Sequence, residues 1–299
     1  MAAEKRLLRP LPLRGGNIIA VFSPSGAVSR RLLLEGLKTL EGMGLNYYLA
    51  SNIYARYRYL AGRDEERAEA LVQLLSLGFP GLWASRGGFG ALRLLSLLEK
   101  LLPSSLSKPF WLLGFSDVSI LLNYFWERYG LITLHAPVVS SLPETSINAL
   151  AVLRGLLFGS LQELFYPAEG WQEGEAEGFL VGGNLATLAS LLGTPWFPCL
   201  KDRILFLEEI NESPYRVDRL FSQLKAAGVL DKVKALALGD FSGLPSETLR
   251  EIVLEHYQGP ILSGLPVGHG VDNFPLLIGA PTKVVIQGPR GYLKQIIPP

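Results

Sequence analysis

Ser116 occupies the turn between the apolar segment "LLGF" and a second apolar run, where a predicted strand gives way to a predicted helix. In some hydrolases a turn of this kind exposes the nucleophile of an acyl transfer. The surrounding residues depart from the Gly-x-Ser-x-Gly pattern of those enzymes, because Val118 stands at the position of the second glycine. Asp117 could instead cap the helix, with Ser116 one residue before the cap. The local sequence therefore supports two hypotheses, a nucleophile and a capping turn.

Three histidines could act as a base for such a nucleophile. His256 lies near the C-terminal end of a patterned helix, where a cation interacts favourably with the helix dipole, and we interpret it as structural. His269 lies between glycines in "GLPVGHGVDN", which lets the backbone turn sharply and leaves the imidazole open to a cleft. His135 ends a predicted strand in "TLHAP" and is a similar candidate. A loop histidine bonded to nearby backbone is the alternative for both.

Two adjacent acids, Glu208 and Glu209, follow the buried-type strand "ILFL". An unpaired carboxylate next to a core is costly, so at least one of them is expected to have a fixed partner. Successive side chains of a strand point to opposite faces, and either acid could orient a histidine. Solvated loop acids are the alternative. With no His-Glu-x-x-His or Cys-x-x-Cys pattern in the chain, we expect neither a metal site nor a cofactor.

The glycine-rich segment "SRGGFGALRLL" offers consecutive backbone N–H groups before a helix, a geometry that suits an anion or an oxyanion. It does not match a dinucleotide-binding fingerprint, because Arg93 stands where that pattern needs a small residue. A tight turn without a ligand is the alternative interpretation.

The elements that must position these residues alternate between strand and helix patterns. Short apolar runs that end in "SPSG", "SRGGFG", "GFSD" and "LHAP" are separated by helical segments, which predicts an α/β fold with a doubly wound parallel sheet. In such sheets the functional loops follow the carboxyl ends of the strands. We predict a first domain over residues 1–165 and a second α/β domain over 166–299. The acidic, glycine-rich segment 166–178 is interpreted as a linker or surface segment between them.

Composition excludes several classes of protein. The 299 residues carry a formal net charge of +1, so there is no basic excess to neutralise a nucleic-acid backbone. A single cysteine, Cys199, cannot form an intrachain disulfide, which fits a reducing compartment. The basic N-terminal stretch lacks the long apolar core of a secretory signal. Residues 179–200 are long enough to span a membrane but contain Gly-Gly-Asn and two prolines, so we predict a soluble, cytoplasmic protein.

Six segments together resemble, in their order along the chain, the LD-carboxypeptidase family of serine peptidases, whose relatives include the microcin C immunity peptidases. These segments are "SRGGFGALRLL", "LLGFSDVSILL" with the following "LITLHAP", "VGGNLATLASLLGTPWFP", "ILFLEEINESPYRVDRLFSQLKAAGVL", "LALGDFSG" and "GLPVGHGVDNFPLLIGA". The Gly-Gly-Asn and Gly-His-Gly segments are the most specific parts of the resemblance.

The resemblance implies that the N-terminal domain supplies a nucleophilic serine and the C-terminal domain supplies an acid and a histidine. Carried onto this chain, these are Ser116, His269 and Glu208, with Glu209 as the alternative acid. The Ser…Glu…His order also matches the α/β-hydrolases, but triads are recognised by geometry rather than by order.

The family also places the oxyanion of the reaction against backbone N–H groups of the glycine-rich loop and of the residue after the serine. In this chain these are the N–H groups of Gly88, with Gly87 as a further candidate, and of Asp117. Arg86 is expected to bind the terminal carboxylate of a substrate, with a strand-end salt bridge as its alternative role.

The activity implied by the resemblance is removal of the terminal D-alanine from murein tetrapeptides by a homodimer in the cytoplasm. The third residue of that peptide is left open between diaminopimelate and lysine. A second reading is a microcin immunity amidase that cleaves aminoacyl-nucleotide conjugates, and a third is a non-catalytic α/β binding module.

Overall fold

A computed structural model describes residues 7–297 and confirms the predicted α/β fold. Residues 1–6, where the basic N-terminal stretch begins, and residues 298–299 lie outside the described part. The chain divides into two compact units between Leu161 and Gln162.

The first unit alternates strands with helices. Its strands are β1 (Ile18–Phe22), β2 (Asn46–Leu49), β3 (Gly81–Ala84), β4 (Trp111–Gly114) and β5 (Thr133–His135). Its helices are α1 (Arg30–Gly42), α2 (Asp64–Leu77), α3 (Leu95–Leu101), α4 (Ser119–Tyr129) and α5 (Ile147–Leu157). Four of the connecting segments are the loops whose sequences were singled out above.

The five strands of this unit are parallel and lie in the order β2-β1-β3-β4-β5. Strands β3 and β4 are buried throughout, as expected of a parallel sheet covered on both faces. Helix α1 buries Leu33, Leu37 and Leu40, which share one face at helical spacing. The strand order reverses between β1 and β3, and this switch point is where ligand sites form in open α/β sheets.

The second unit is built around a closed barrel. Its strands are β6 (Glu163–Gln172), β7 (Gly174–Asn184), β8 (Arg203–Ile210), β9 (Val233–Ser242), β10 (Ile261–Ser263), β11 (Leu276–Ile278), β12 (Pro281–Gln287) and β13 (Arg290–Ile296). Its helices are α6 (Leu185–Ala189), α7 (Pro214–Ala226) and α8 (Ser246–His256). Seven of these strands close the barrel in the order β10-β6-β13-β12-β7-β8-β9, in which β7 to β10 run parallel and the other pairs antiparallel.

The interpretation of residues 166–178 as a linker is wrong, because they form most of β6 and the beginning of β7. Three side chains of β6 are buried in the core, Leu164, Tyr166 and Trp171. The exposed positions of β6 carry Glu163, Phe165, Pro167 and Glu169, and this mixture of apolar and charged residues obscured the alternation that marks a half-buried strand. Segment 179–200, considered above as a membrane span, contains the end of β7 and the short helix α6. Within residues 7–297, no helix combines the length and the apolar character that a membrane crossing requires.

Candidate active site

Ser116 lies where the sequence predicts, between the end of β4 and the start of α4. It is the first residue of a single 3-10 turn, Ser116–Val118, and is half-buried. Its φ is 59°, a left-handed conformation that a non-glycine residue adopts at a cost of order 1–3 kcal/mol. A Cβ on Gly114 would lie 2.6 Å from Cγ1 of Val118, so this turn requires glycine before it. The backbone therefore has the strained strand-to-helix geometry of a nucleophile turn, although its sequence lacks the usual second glycine.

Gly87 of the glycine-rich loop lies directly against Ser116. A Cβ added to Gly87 would lie 3.0 Å from Cβ of Ser116 and 3.2 Å from its Oγ. The same loop is tied to the end of β1, because Gly26 donates its N–H to the carbonyl of Gly87 over 3.0 Å. The hydroxyls of Ser23 and Ser85 add a hydrogen bond of 2.6 Å. The loops after β1, β3 and β4 thus converge at the switch point of the sheet.

Asp117 does not cap helix α4, and that prediction is wrong. The residue lies inside the 3-10 turn, and its buried carboxylate accepts the N–H of Ala91 over 2.8 Å. The carboxylate thereby fixes the glycine-rich loop to the residue that follows Ser116. Burial raises the pKa of Asp117, while the Ser25 hydroxyl and the N–H groups of Ala91 and Gly90 act in the opposite sense.

Arg67 also holds the glycine-rich loop, and sequence reasoning missed it. Its guanidinium is fully buried, donates to the carbonyl of Gly90 over 2.9 Å and bonds the carbonyl of Pro24 and the carboxylate of Asp64. Burial lowers the pKa of Arg67, and the Asp64 carboxylate opposes that effect. In the sequence Arg67 belongs to a charged helical segment that looks solvated, so only its i−3 spacing from Asp64 signalled a pair.

The remaining candidates of this unit are exposed on the same loop. Gly88 has a φ of 103°, which only glycine adopts readily. Arg86 is exposed and donates one hydrogen bond of 2.8 Å to the carbonyl of Ala27. The strand-end salt bridge considered for Arg86 does not form among the described residues.

His269 and Glu208 meet in the second unit. Nδ1 of His269 lies 2.6 Å from Oε2 of Glu208, whose side chain is fully buried while the imidazole is 16% exposed. Burial raises the pKa of Glu208, and the imidazole partly opposes this. Burial lowers the pKa of His269, but the hydrogen bond and charge of Glu208 outweigh it, so this pKa lies above its usual value. The arrangement fixes one tautomer of the imidazole and stabilises its protonated form.

Glu209 points to the other side of strand β8 and has different partners. One oxygen accepts from Nδ2 of Asn184 and from the N–H of Ile210, both over 2.9 Å. The other accepts the N–H of Ala186 over 2.8 Å. Glu209 therefore joins the beginning of helix α6 to β8, and the acid that contacts His269 is Glu208.

A β-bulge lies opposite Glu208. Leu207 pairs with Leu238 and Glu209 with Phe241, so β9 has one extra residue at Gly239 and Asp240. Bulges of this kind commonly re-aim side chains beside functional sites. A Cβ on Gly239 would lie only 2.2 Å from the carbonyl of Val267, so this close approach requires glycine.

The loop of His269 is anchored on both sides of the histidine. Asn273 is buried and accepts the N–H of Gly268 over 3.2 Å, and the N–H of Asp240 donates to Val267 over 2.8 Å. Gly268 has a φ of 145°, and a Cβ there would lie 2.9 Å from Cβ of Asp240. Asp240 and Asn273 are positioning residues that sequence reasoning missed.

The other two histidines have different partners. His256 ends helix α8, where Nε2 lies 2.7 Å from Oδ1 of Asp218 and the ring stacks on Phe221, in line with a structural role. His135 is fully buried at the end of β5 and packs edge-to-face against Phe115.

The chain matches models of two domains of known proteins. Residues 19–136 match the LD-carboxypeptidase N-terminal domain, and residues 177–284 match the LD-carboxypeptidase C-terminal domain. The first match contains Ser116 and the glycine-rich loop, and the second contains Glu208 and His269.

Individual relatives match along nearly the whole chain. A protein of Synechocystis sp. described as a carboxypeptidase is 37% identical over 97% of this chain and 97% of its own length. The murein tetrapeptide carboxypeptidase of Pseudomonas aeruginosa is 34% identical over 85% of this chain and 89% of its own. The microcin C7 self-immunity protein of Escherichia coli is 28% identical over 93% of both chains.

A solved structure shares the fold. The muramoyltetrapeptide carboxypeptidase of Oxalobacter formigenes superimposes with a TM-score of 0.80 at 27% identity, covering 93% of this chain and 98% of that one.

Proposed function

Because the chain belongs to the LD-carboxypeptidase family, we propose that it is a serine peptidase that removes the terminal D-alanine from murein tetrapeptides. The observation that carries this proposal is the hydrogen bond between His269 and the buried carboxylate of Glu208. A buried acid that fixes the tautomer of a partly open imidazole is the arrangement that makes a histidine an effective general base. The name and 34% identity of the Pseudomonas aeruginosa relative support the substrate class.

In this mechanism Oγ of Ser116 attacks the carbonyl carbon of the L-to-D amide while His269 takes up the hydroxyl proton. Glu208 holds the imidazole in the reactive tautomer and stabilises the imidazolium that forms. Collapse of the tetrahedral intermediate breaks the C–N bond, and His269 returns the proton to the departing D-alanine amine. A water molecule then hydrolyses the acyl-enzyme, with His269 again acting as the base.

The negative oxygen of the tetrahedral intermediate needs donors that are in place before the reaction. We assign this role to the backbone N–H groups of Gly88 and Asp117, each worth about 3 kcal/mol of the barrier. The contact of Gly87 with Ser116 and the bond from Ala91 to the Asp117 carboxylate support this assignment, since they fix the loop relative to the serine. Arg86 is assigned to the terminal carboxylate of the substrate, because its guanidinium is exposed on the same loop.

The test is the release of D-alanine from a disaccharide tetrapeptide, followed by mass spectrometry for the wild type and for Ser116→Ala. Ser76→Ala replaces an exposed helix serine of the same unit and is the matched control. We expect release by the wild type and the control and none by Ser116→Ala. Equal release by Ser116→Ala would overturn the nucleophile assignment.

The relation to the microcin self-immunity protein makes an aminoacyl sulfamoyl adenosine the second substrate of this assay. Turnover of that compound without release of D-alanine would show that the protein is a detoxifying amidase instead. Turnover of neither compound, with no labelling of Ser116 by a fluorophosphonate, would favour a non-catalytic binding module.

We further propose a homodimer that works in the cytoplasm, on the strength of the family resemblance and of the single, unpaired Cys199. Light scattering of the purified protein is expected to give twice the monomer mass. Cell fractionation of the source organism checks the compartment, and recovery in an extracytoplasmic fraction would contradict it.

A further inference from the structure

A tight turn over residues 57–60 of the first unit presents an exposed arginine. The N–H of Leu60 donates to the carbonyl of Tyr57 over 3.0 Å and closes this turn, which we call the Arg58 turn. Arg58 is exposed and has a φ of 57°, a conformation that glycine and asparagine adopt more readily. Non-glycine residues held in this conformation cluster at functional sites, which indicates that the arginine side chain itself is used.

A tyrosine ring orients two guanidinium groups at the Arg58 turn. The central carbon of the Arg58 guanidinium lies 4.8 Å from the ring centroid of Tyr57 and 5.9 Å from that of Tyr59. The guanidinium of Arg63 lies 4.7 Å from the same Tyr57 ring. Within the described residues neither guanidinium pairs with a carboxylate, and the neighbouring Glu66 accepts the backbone N–H of Arg63 instead. Both positive charges are therefore available to an anion.

The Arg58 turn is tied to the glycine-rich loop of the same unit. The N–H of Ala27 donates to the carbonyl of Tyr59 over 2.9 Å, and the residue before Ala27 donates to the carbonyl of Gly87 over 3.0 Å. The ring of Tyr59 also packs edge-to-face on Phe89 of the glycine-rich loop, with 6.1 Å between the centroids. Hydrogen-bonded segments lie about 5 Å apart, so two such steps place the turn about 10 Å from Gly87.

We infer that the Arg58 turn binds the free carboxylate of the second residue of the murein tetrapeptide. That residue is a D-glutamate linked through its side chain, so its α-carboxylate stays free. A guanidinium can hold a carboxylate through two parallel N–H···O bonds. An extended peptide advances about 3.3 Å per residue, so this acid lies about 7 Å from the cleaved bond, and the long arginine side chain covers the remaining distance.

The length of the peptide on each side of the cleaved bond decides which acid can reach the turn. The departing D-alanine is a single residue, and its carboxylate is assigned to Arg86. A Cβ on Gly26 would lie 3.6 Å from the carbonyl oxygen of Tyr59 and 3.9 Å from Cδ of Arg86, so the two anion sites are adjacent. This inference rests on the proposed function and adds the charge of the second peptide residue as a determinant of specificity.

The experiment compares tetrapeptides whose second residue is D-glutamate with peptides in which its α-carboxylate is replaced by an amide. Each pair is made with lysine and with diaminopimelate at the third residue, so the ratio within a pair reports only on the glutamate carboxylate. We expect the wild type to show a kcat/KM at least about tenfold higher for the acid, as is typical for a hydrogen bond between charged groups. Arg58→Gln should bring this ratio close to one by slowing cleavage of the acid.

A second arginine of the same segment provides the matched control. Arg56 is exposed and stacks on no ring within the described part of the chain, so Arg56→Gln removes the same charge and should keep the wild-type ratio. Arg63→Gln is the second variant, should Arg58→Gln fail to fold, and should also lower the ratio.

The outcomes separate the two proposals. Equal kcat/KM for acid and amide in the wild type, or an unchanged ratio in Arg58→Gln and Arg63→Gln, would overturn the carboxylate site and leave the carboxypeptidase standing. An equal fall of the ratio in Arg56→Gln would also overturn it, because overall positive charge would then explain the preference. Cleavage of none of the four peptides by the wild type would instead overturn the proposed function, and this inference with it.

Discussion

Nδ1 of His269 lies 2.6 Å from Oε2 of Glu208. The carboxylate is entirely buried, while the imidazole side chain remains 16% exposed to solvent. A buried carboxylate is costly without a partner, so the site is stable only with the histidine in this position. The same contact raises the pKa of His269, which sets the pH at which the imidazole can accept a proton. One hydrogen bond therefore both stabilises the buried carboxylate and raises the pKa of the histidine.

Replacing Glu208 by glutamine should change the pH dependence of the reaction as well as its rate. A general base must be neutral, so kcat/KM falls as the pH drops through the pKa of His269. Glu208 raises that pKa, and Glu208→Gln should therefore move the acid limb of the profile to lower pH. The plateau value of kcat/KM should fall by roughly 10²- to 10⁴-fold, because the tautomer of His269 is no longer enforced.

The profile of kcat/KM against pH for D-alanine release measures both effects. Glu212→Gln, which removes a partly exposed carboxylate paired with Arg216, is the control and should leave the limb in place. An acid limb that stays at the wild-type pH in Glu208→Gln would show that His269 is not the group that titrates.

Gly87→Ala should damage activity far more than stability. The new Cβ would lie 3.0 Å from Cβ and 3.2 Å from Oγ of Ser116, so the serine must shift by a few tenths of an ångström or more. Misplacement of a reacting group by about 1 Å can cost about 10²-fold in rate, and we expect a loss approaching this in kcat. Gly42→Ala places a Cβ with nothing within 4 Å and is the matched control. Wild-type kcat in Gly87→Ala would show that the loop does not constrain the serine.

Asp117→Ala should leave the N–H of Ala91 without its partner, whereas Asp117→Asn keeps an oxygen in place. We expect Asp117→Ala to lose about 1–3 kcal/mol of unfolding free energy and most of its activity, and Asp117→Asn to retain more of both. Urea denaturation and kcat measure the two effects. Similar losses in both variants would show that the charge of Asp117, rather than the hydrogen bond, matters.

The pH dependence of stability gives a further check on Asp117. Its pKa is raised in the native state, so the folded protein binds the proton more tightly than the unfolded chain. Stability contributed by this group is therefore present at low pH and lost as the pH rises from the unfolded pKa toward the folded one. In urea denaturation at a series of pH values that begins near the unperturbed aspartate pKa of about 4, Asp117→Asn should lack this slope.

The sequence was sufficient for the parallel sheet because β1, β3 and β4 are short apolar runs and helical segments separate the strands. It was insufficient for the barrel strands β6 and β7. In β6, Phe165 and Pro167 occupy exposed positions and hide the alternation with the buried Leu164 and Tyr166. The short strands β10 and β11 were not predicted.

For the site, alternation along β8 placed Glu208 and Glu209 on opposite faces but could not say which face meets His269. That choice depends on a contact across 61 positions and on the bulge in β9, neither of which leaves a local pattern. Arg67 and Asp240 were missed for the same reason, because a charged residue in a sequence looks solvated until its buried partners are known.

Arg67→Met should separate the role of Arg67 in holding the glycine-rich loop from its role in filling space. Methionine keeps much of the volume but leaves the carbonyls of Pro24 and Gly90 without the guanidinium that now binds them. We expect a loss of about 3 kcal/mol in unfolding free energy, as for a broken buried pair, and a fall in kcat of about tenfold or more. Arg93→Met removes the other, more exposed arginine that pairs with Asp64 and should change both quantities little. Urea denaturation and D-alanine release measure the two effects, and an Arg67→Met protein as active as the wild type would show that the loop is held by Asp117 alone.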